Sequence, residues 1–91
     1  MASSTHYAYM IMAHERVYTG IARDVRRRIE QHNAGKGAKY TRGKGPWKLI
    51  MSVPCGTKSV ALKLEAKIKK LSHAEKLLLA AQYRVENIDT K

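Results

Sequence analysis

Two short aromatic runs near the start of the chain, only a few residues apart, most constrain how it can fold. Residues 7–12 and 16–19 are too short for helices and are rich in aromatic and β-branched side chains, which favours strands. The residues between them predict a tight turn, and Gly20 is expected to end the second strand. The sequence therefore predicts a β-hairpin on which Tyr9 and Tyr18 can lie on the same face.

The remainder of the chain alternates helical and extended patterns. Asp24 favours the start of an arginine-rich helix, and Pro54 is expected to stop a third strand. Ser72 and Glu75 form a predicted capping box that starts the last helix. The predicted elements after the hairpin are a helix at 23–33, a glycine- and lysine-rich loop at 34–46 with a short helical turn at 38–40, a strand at 47–53, a helix at 57–71 and the capped helix that follows.

This order, β-β-α-β-α-α, predicts an α+β fold in which a small three-stranded sheet is flanked by helices. A chain of 91 residues makes one domain. We expect that domain to occupy residues 1–91, with its core at about 7–80 and a polar tail from about Tyr83.

The charge of the chain indicates a polyanionic partner. Eighteen Lys and Arg residues against seven Asp and Glu give a net charge of +11, which costs folding free energy through self-repulsion. Nine of the basic residues lie in residues 23–48, where glycines interrupt any continuous apolar helix face of the kind that binds membranes. Tyr40 and Trp47 in the same stretch have flat faces that can stack on bases, so nucleic acid is favoured. Alternatively, Trp47, which opens a predicted strand, is simply a core residue.

Cysteine and histidine usage argues against a disulfide or zinc framework. The single cysteine, Cys55, excludes an intramolecular disulfide, fits a reducing cytosol and is expected to be a small buried side chain. The four histidines are scattered, so a Cys/His zinc site is not indicated. Residues 1–5 lack the features of a signal peptide and no apolar run is long enough to span a membrane. We therefore expect a soluble, cytoplasmic protein without a membrane partner.

Two residues of the arginine-rich helix have chemical potential. Arg28 lies between Val25 and His32 on the apolar side, and a guanidinium turned inward binds a carboxylate or a phosphate. His32 can accept a proton or donate a hydrogen bond to the same phosphate. Alternatively, His32 is only a helix C-terminal histidine that the helix dipole stabilises.

Three further residues have a structural and a chemical interpretation each. Tyr9 and Tyr18 are either ordinary strand tyrosines packed on a helix, or phenols that orient or deprotonate a water. Glu65 either pairs with Lys69 one helical turn away or binds one divalent ion. Oxygen ligands suit Mg²⁺ or Mn²⁺, and one carboxylate with waters and a phosphate oxygen is an ordinary Mg²⁺ shell.

Together these residues resemble a known family, the GIY-YIG nuclease superfamily. The residues that carry the resemblance, in this order and spacing, are Tyr7-Ala8-Tyr9, Tyr18-Thr19-Gly20, Arg28, His32 and Glu65. Residues 32–42 and the helix pattern at 61–72 are similar to the small stand-alone bacterial members, and the resemblance covers roughly residues 7–80. The chain departs from the family pattern at Tyr7 and Ala8, which replace Gly and Ile, at Thr19, which replaces Ile, and in its short hairpin turn.

The resemblance implies a metal-dependent DNA endonuclease with one Mg²⁺ or Mn²⁺ ion and no small-molecule cofactor. It implies that Tyr9 supports the site, that Tyr18 lies closest to the attacking water and that Arg28 binds the scissile phosphate. His32 would act as a base or phosphate contact, and Glu65 would hold the metal. Tyr18 and His32 both remain candidates for the group that removes the proton from the water.

Recognition of the nucleic acid is expected to come from the loop and the basic helix. The candidate contacts are Arg27, Lys36, Lys39, Tyr40, Arg42 and Lys44. A flat basic surface with aromatic side chains suits single-stranded or branched DNA better than a duplex major groove. Two alternatives stay open: a non-catalytic nucleic-acid-binding module, and a basic adaptor for an acidic protein. We expect a monomer or a weak dimer.

Overall fold

The computed structural model describes residues 4–89. Residues 1–3, which belong to the segment without signal-peptide features, and residues 90–91 lie outside the described residues. The elements are β1 (His6–Ala13), β2 (Arg16–Ala22), α1 (Val25–Asn33), a short 3₁₀ helix (Lys39–Thr41), β3 (Lys48–Gly56), α2 (Lys58–Lys69) and α3 (His73–Asp89). This order confirms the predicted α+β fold. Helix α3 passes Tyr83, where the sequence predicts a polar tail, and continues to Asp89. Within residues 4–89, no helix is long and apolar enough to cross a membrane.

The sheet is antiparallel, and β1 lies at its centre in the order β2-β1-β3. In the β1–β2 hairpin, Tyr9 is paired with Gly20 and Ile11 with Tyr18. Because directly opposed residues lie on the same face, this register brings Tyr9 and Tyr18 together. His14 opens the two-residue turn with φ 57°, the sign that hairpin turns need at their first central position.

Two predicted strand ends are wrong. Strand β2 does not stop at Gly20 but continues to Ala22, because Gly20 is itself paired with Tyr9. Strand β3 does not stop at Pro54 but runs to Gly56. Since β3 is an edge strand, a residue without an N–H group can be accommodated there.

Side chains cap the three helices. Asp24 accepts the Arg27 N–H at 3.1 Å and starts α1, and Thr57 accepts the Val60 N–H at 3.2 Å and starts α2. The predicted capping box of α3 is present. The Ser72 N–H donates to Glu75 Oε1 at 2.8 Å, and the Glu75 N–H donates to Ser72 Oγ at 3.1 Å. These local hydrogen bonds satisfy backbone donors that helix ends leave free.

Side chains pack on both faces of the sheet. The apolar face is the cluster of Met10, Ile50, Met51, Ile68 and Ala80, which joins the sheet to α2 and α3. The tyrosine face is the cluster of Tyr9, Ile11, Ala13 and Trp47, against which Tyr18, Ala22, Val25 and Ile29 pack. Trp47 is only 2% exposed, so the interpretation of its ring as a base-stacking surface is wrong. Cys55, expected to be buried, is half-buried.

Candidate active site

The candidate site centres on the phenol of Tyr9. Tyr9 is 1% exposed and lies in the middle of the central strand, facing α1. A hydrogen bond of 2.8 Å joins its hydroxyl to Nε2 of His32, in the last turn of α1. Residues 23 positions apart in the chain are thus joined inside the fold.

The other ring nitrogen of His32 is also engaged. Its Nδ1 lies 2.7 Å from the hydroxyl oxygen of Thr41, and the Thr41 hydroxyl donates to the Ala38 carbonyl at 2.8 Å. Both His32 and Thr41 are buried. The His32 ring therefore cannot reach solvent directly, and any proton it exchanges with substrate or water passes through a neighbour.

The electrostatic surroundings of Tyr9 bring the predicted residues together. Burial and the neighbouring Tyr18 raise the pKa of Tyr9 to about 12, Arg28 opposes the rise by its charge and by hydrogen bonding, and Glu65 adds to it. Tyr9 is therefore a neutral phenol at ordinary pH. Tyr18, Arg28, His32 and Glu65, which the sequence distributes over one strand and two helices, all act on this one hydroxyl.

His32 is kept neutral. Burial, reinforced by the positive charge of Arg28, lowers the pKa of His32 from its usual value of 6.5. The alternative interpretation of a charged histidine stabilised by the helix dipole does not fit, because the surroundings disfavour the charged form. A neutral imidazole has one free lone pair and can accept a proton.

A row of aromatic rings leads from His32 to the protein surface. The Tyr18 ring lies 5.0 Å from the His32 ring and 6.4 Å from the Tyr9 ring, measured between centroids. Tyr40 stacks on Tyr18 at 6.2 Å with an interplanar angle of 22°. Tyr40 is 48% exposed, and the ammonium group of Lys44 lies 5.2 Å from the centre of its ring. The exposed tyrosine of the loop is thus in contact with the site.

Arg28 is half-buried, whereas Arg23, Arg26 and Arg27 are exposed, as the helical pattern predicts. One of its terminal nitrogens donates to Gln31 Oε1 at 2.9 Å. Among the described residues no carboxylate forms an ion pair with Arg28. Its charge is therefore free to attract an anion such as a phosphate.

Glu65 borders the site from α2. Its side chain is 18% exposed, and Lys69 lies 3.4 Å from one of its oxygens, so the predicted pair one helical turn apart is present. Among residues 4–83, whose side chains the structure describes, no three His, Cys, Asp or Glu side chains gather into a group that could hold a metal. Glu65 offers one carboxylate oxygen, a ligand type that Mg²⁺ binds together with waters and substrate oxygens.

Two glycines leave room for side chains of the site to pack closely. The sequence patterns singled out only one of the two. A Cβ atom on Gly20 would lie 2.8 Å from the Tyr9 hydroxyl oxygen and 3.0 Å from Cε2 of Tyr18, so Gly20 lets the two phenols meet. A Cβ atom on Gly37 would collide with the His32 ring. Gly20 belongs to the second tyrosine triplet, which could have identified it, whereas Gly37 is one of several loop glycines.

The loop between α1 and β3 is fixed at its base. The Asn33 side-chain amide donates to the Trp47 carbonyl at 3.1 Å and accepts the Trp47 N–H. The Trp47 indole donates to the Thr41 carbonyl at 3.0 Å. The predicted loop contacts lie on this framework, with Lys36, Lys39, Tyr40 and Arg42 exposed and Lys44 half-buried. Sequence reasoning gave Asn33 and Thr41 no role of their own, since one polar residue at a helix end or in a loop carries no periodic signal. Only the family-like segment 32–42 included them.

Comparison with known proteins identifies the family. The sequence pattern of the family described as the GIY-YIG catalytic domain matches residues 5–77. This chain belongs to the GIY-YIG family. The resemblance that the sequence indicated is thereby confirmed over residues 5–77, and the fold described above agrees with the expected one.

Several relatives of this GIY-YIG protein are of similar size. The UPF0213 protein YhbQ of Escherichia coli is 46% identical over 77 residues, which cover 84% of this chain and 77% of the relative. The UPF0213 protein SG0387 of Sodalis glossinidius is 47% identical over 77 residues, which cover 84% of this chain and 72% of the relative. The chain is thus similar to small bacterial proteins of this family.

Solved structures show the same fold. The solution NMR structure of the UPF0213 protein BH0048 from Bacillus halodurans has a TM-score of 0.54 and 40% identity, covering 86% of this chain and 84% of the other. The solution NMR structure of the protein EF2693 from E. faecalis has a TM-score of 0.62 and 32% identity, covering 93% of both chains. The names of these relatives state no activity.

Proposed function

We propose that this GIY-YIG domain is a DNA endonuclease that hydrolyses phosphodiester bonds with one divalent metal ion. The observation that carries the proposal is the convergence on the Tyr9 hydroxyl. His32 binds it, and Tyr18, Arg28 and Glu65 are close enough to act on its pKa. A phosphate contact, a proton acceptor and an oxygen ligand for a metal are the groups that phosphodiester hydrolysis uses.

Arg28 binds the scissile phosphate in this proposal. It is half-buried beside Tyr9, and its position is held by the hydrogen bond to Gln31. A guanidinium can donate two parallel hydrogen bonds to phosphate oxygens, which stabilises the charge that builds up on them. Its fixed charge also disfavours protonation of His32, so one residue serves both the phosphate and the base.

His32 accepts the proton of the attacking water through Tyr9. Direct contact is excluded because both ring nitrogens of His32 are already engaged, Nε2 by the Tyr9 hydroxyl and Nδ1 by the Thr41 hydroxyl. Tyr9 can pass its own hydrogen to Nε2 as it receives one from the water, which avoids a free phenolate whose pKa of about 12 makes it costly. Tyr18 is less buried than Tyr9, and its hydroxyl orients the water.

Glu65 holds the metal ion, Mg²⁺ or Mn²⁺. A bound divalent ion of this kind polarises a phosphate oxygen and stabilises the leaving oxygen. The role of Glu65 itself is to supply one carboxylate oxygen on the side of the site that α2 borders. Lys69 is 53% exposed, so its ion pair with Glu65 is weak, and a metal ion can take the place of the Lys69 ammonium group.

Single-stranded DNA is the preferred substrate in this proposal, with branched DNA also accepted. Lys36, Lys39 and Arg42 are exposed along the loop and can bind phosphates, as can Arg27 on α1. Tyr40 is exposed and stacks on Tyr18, so an unpaired base at Tyr40 would lie next to the site.

The decisive experiment is cleavage of labelled single-stranded, duplex and branched DNA with Mg²⁺, Mn²⁺ or EDTA. We expect metal-dependent cutting, fastest on single strands, that Glu65→Gln lowers by roughly 100-fold or more while DNA binding persists. Glu75→Gln, which changes a glutamate at a distant helix cap, is the matched control and should cut at the wild-type rate. Salt-sensitive binding without any cutting would favour the non-catalytic nucleic-acid-binding module, and equal cutting of duplex and single strand would refute the substrate preference.

The loop contacts are tested by the salt dependence of binding. Lys39→Ala with Arg42→Ala removes two proposed phosphate contacts, which should reduce the log–log salt slope for single strands by about 1.4. Lys63→Ala with Lys67→Ala removes two exposed charges from α2 and is the matched control. An equal loss in both double variants would mean that the loop is not the interface.

A further inference from the structure

Thr41 occupies an unusual position beside the site. Its side chain is 0% exposed, and its hydroxyl lies between His32 Nδ1 at 2.7 Å and the Ala38 carbonyl at 2.8 Å. A hydroxyl has one hydrogen to donate and lone pairs that accept. The two contacts are therefore not equivalent, and their arrangement determines the state of the imidazole.

We infer that Thr41 is a positioning residue that fixes the tautomer of His32. A carbonyl oxygen can only accept, so the Thr41 hydrogen is directed to Ala38. Towards Nδ1 the hydroxyl can then only accept, which requires the proton of the imidazole to be on Nδ1. The lone pair of Nε2 is left facing the Tyr9 hydroxyl.

This inference rests on the proposed function, in which Nε2 receives the hydrogen of Tyr9. In the opposite tautomer Nε2 would carry the proton and would donate to Tyr9, so it could accept nothing from it. The lowered pKa of His32 agrees with a neutral ring that has a single mobile proton. Thr41 thus acts on the reaction through His32 and need not touch the substrate.

The surrounding loop holds Thr41 in place. Its carbonyl accepts the Trp47 indole N–H at 3.0 Å, and the absence of a side chain at Gly37 lets the loop approach the His32 ring. Tyr40 and Arg42, both exposed and both proposed to contact DNA, flank Thr41 in the chain. The segment that would bind the substrate is therefore the same segment that sets the proton on His32.

The test is nitrogen NMR of the histidine rings in the wild-type protein, Thr41→Ser and Thr41→Val. We expect a neutral His32 protonated at Nδ1 in the wild type and in Thr41→Ser, which keeps the hydroxyl. Thr41→Val has nearly the same shape without an acceptor and should shift the ring towards the Nε2–H tautomer. Thr19→Val removes another buried threonine hydroxyl, on the opposite face of the sheet, and is the control that should leave His32 unchanged.

A second readout is the rate of DNA cutting. Thr41→Val should lower kcat by about 100-fold with little change in KM, and Thr41→Ser should restore most of the rate. An Nε2–H tautomer in the wild type, or an Nδ1–H tautomer retained in Thr41→Val, would overturn the inference. The NMR readout needs no activity, so the inference can fail or stand separately from the nuclease proposal. Should Thr41→Val not fold, the wild-type and Thr41→Ser tautomers still decide.

Discussion

The apolar face and the tyrosine face of the sheet are built from adjacent residues of one strand but follow different rules. Met10 on the apolar face is 0% exposed and packs among side chains of α2 and α3. Tyr9 on the tyrosine face is 1% exposed, and its hydroxyl is joined to His32 and, through it, to Thr41. The two side chains are almost equally buried. Met10 packs through apolar contacts, whereas Tyr9 also takes part in side-chain hydrogen bonds whose donors and acceptors must match.

The difference has a physical origin. Apolar packing is non-directional, so several side chains of the right size can fill the apolar face. A buried polar atom instead needs a partner at hydrogen-bond distance, and an unmet one costs about 1–3 kcal/mol. We expect that changes on the apolar face alter the free energy of unfolding, whereas changes on the tyrosine face alter chemistry.

The largest effect is expected from Arg28→Lys on the tyrosine side. Lysine keeps the charge but cannot offer two parallel hydrogen bonds to a phosphate, so the cutting rate should fall roughly 100- to 1000-fold. Thermal unfolding should change little. Arg26→Lys, at an exposed position of the same helix, is the control for steady-state kinetics, and a comparable loss there would refute the special role of Arg28.

Ile68→Ala tests the apolar face. Ile68 is 1% exposed, and its truncation should lower the free energy of unfolding by about 2–5 kcal/mol. Denaturant titration measures this loss, and the cutting rate per folded molecule should stay at the wild-type level. Leu62→Ala, at an exposed position of α2, should change stability by less than about 0.5 kcal/mol. A loss of activity in folded Ile68→Ala protein would contradict the separation of the two faces.

Neighbouring positions of β2 offer the sharpest comparison. Gly20→Ala should displace the Tyr9 hydroxyl and reduce the cutting rate about 100-fold, the effect of a misplacement of about 1 Å. Thr19→Val changes the opposite face, where the buried Thr19 hydroxyl has no hydrogen-bond partner among the described residues. That variant should cut normally and should be about 1 kcal/mol more stable, because an unpaired buried hydroxyl is removed. Equal activity of the two variants would mean that the close contact at Gly20 is unimportant.

The smallest effect is expected from pH. Because burial lowers the pKa of His32 in the folded protein below its usual 6.5, the unfolded chain binds the proton more readily. The stabilising effect of the neutral ring is therefore complete above pH 6.5 and is lost as the pH falls through the lowered value. Denaturant titrations of wild type and His32→Gln should converge on acidification, and parallel curves would show that His32 does not titrate in this way. The cutting rate should fall over the same interval.

The sequence alone determined the order of the elements, the hairpin and the helix caps, because these features depend on residues close together in the chain. The capping box of Ser72 and Glu75 is one example, since its partners are three residues apart. The resemblance to the GIY-YIG family also identified residues that converge on Tyr9. Strand ends were less predictable, because Gly20 and Pro54 stay in the sheet through pairing with distant residues of β1.

Only the tertiary structure decided which polar groups are enclosed and how they are connected. It placed Trp47 in the core and joined Tyr9, His32 and Thr41 by hydrogen bonds. Periodicity reveals which face of an element is buried but not which atom on another element a hydroxyl will meet. The positions of the protons in the site depend on these hydrogen-bond partners. The partners come within about 3 Å only in the folded protein, because many residues of the chain separate them.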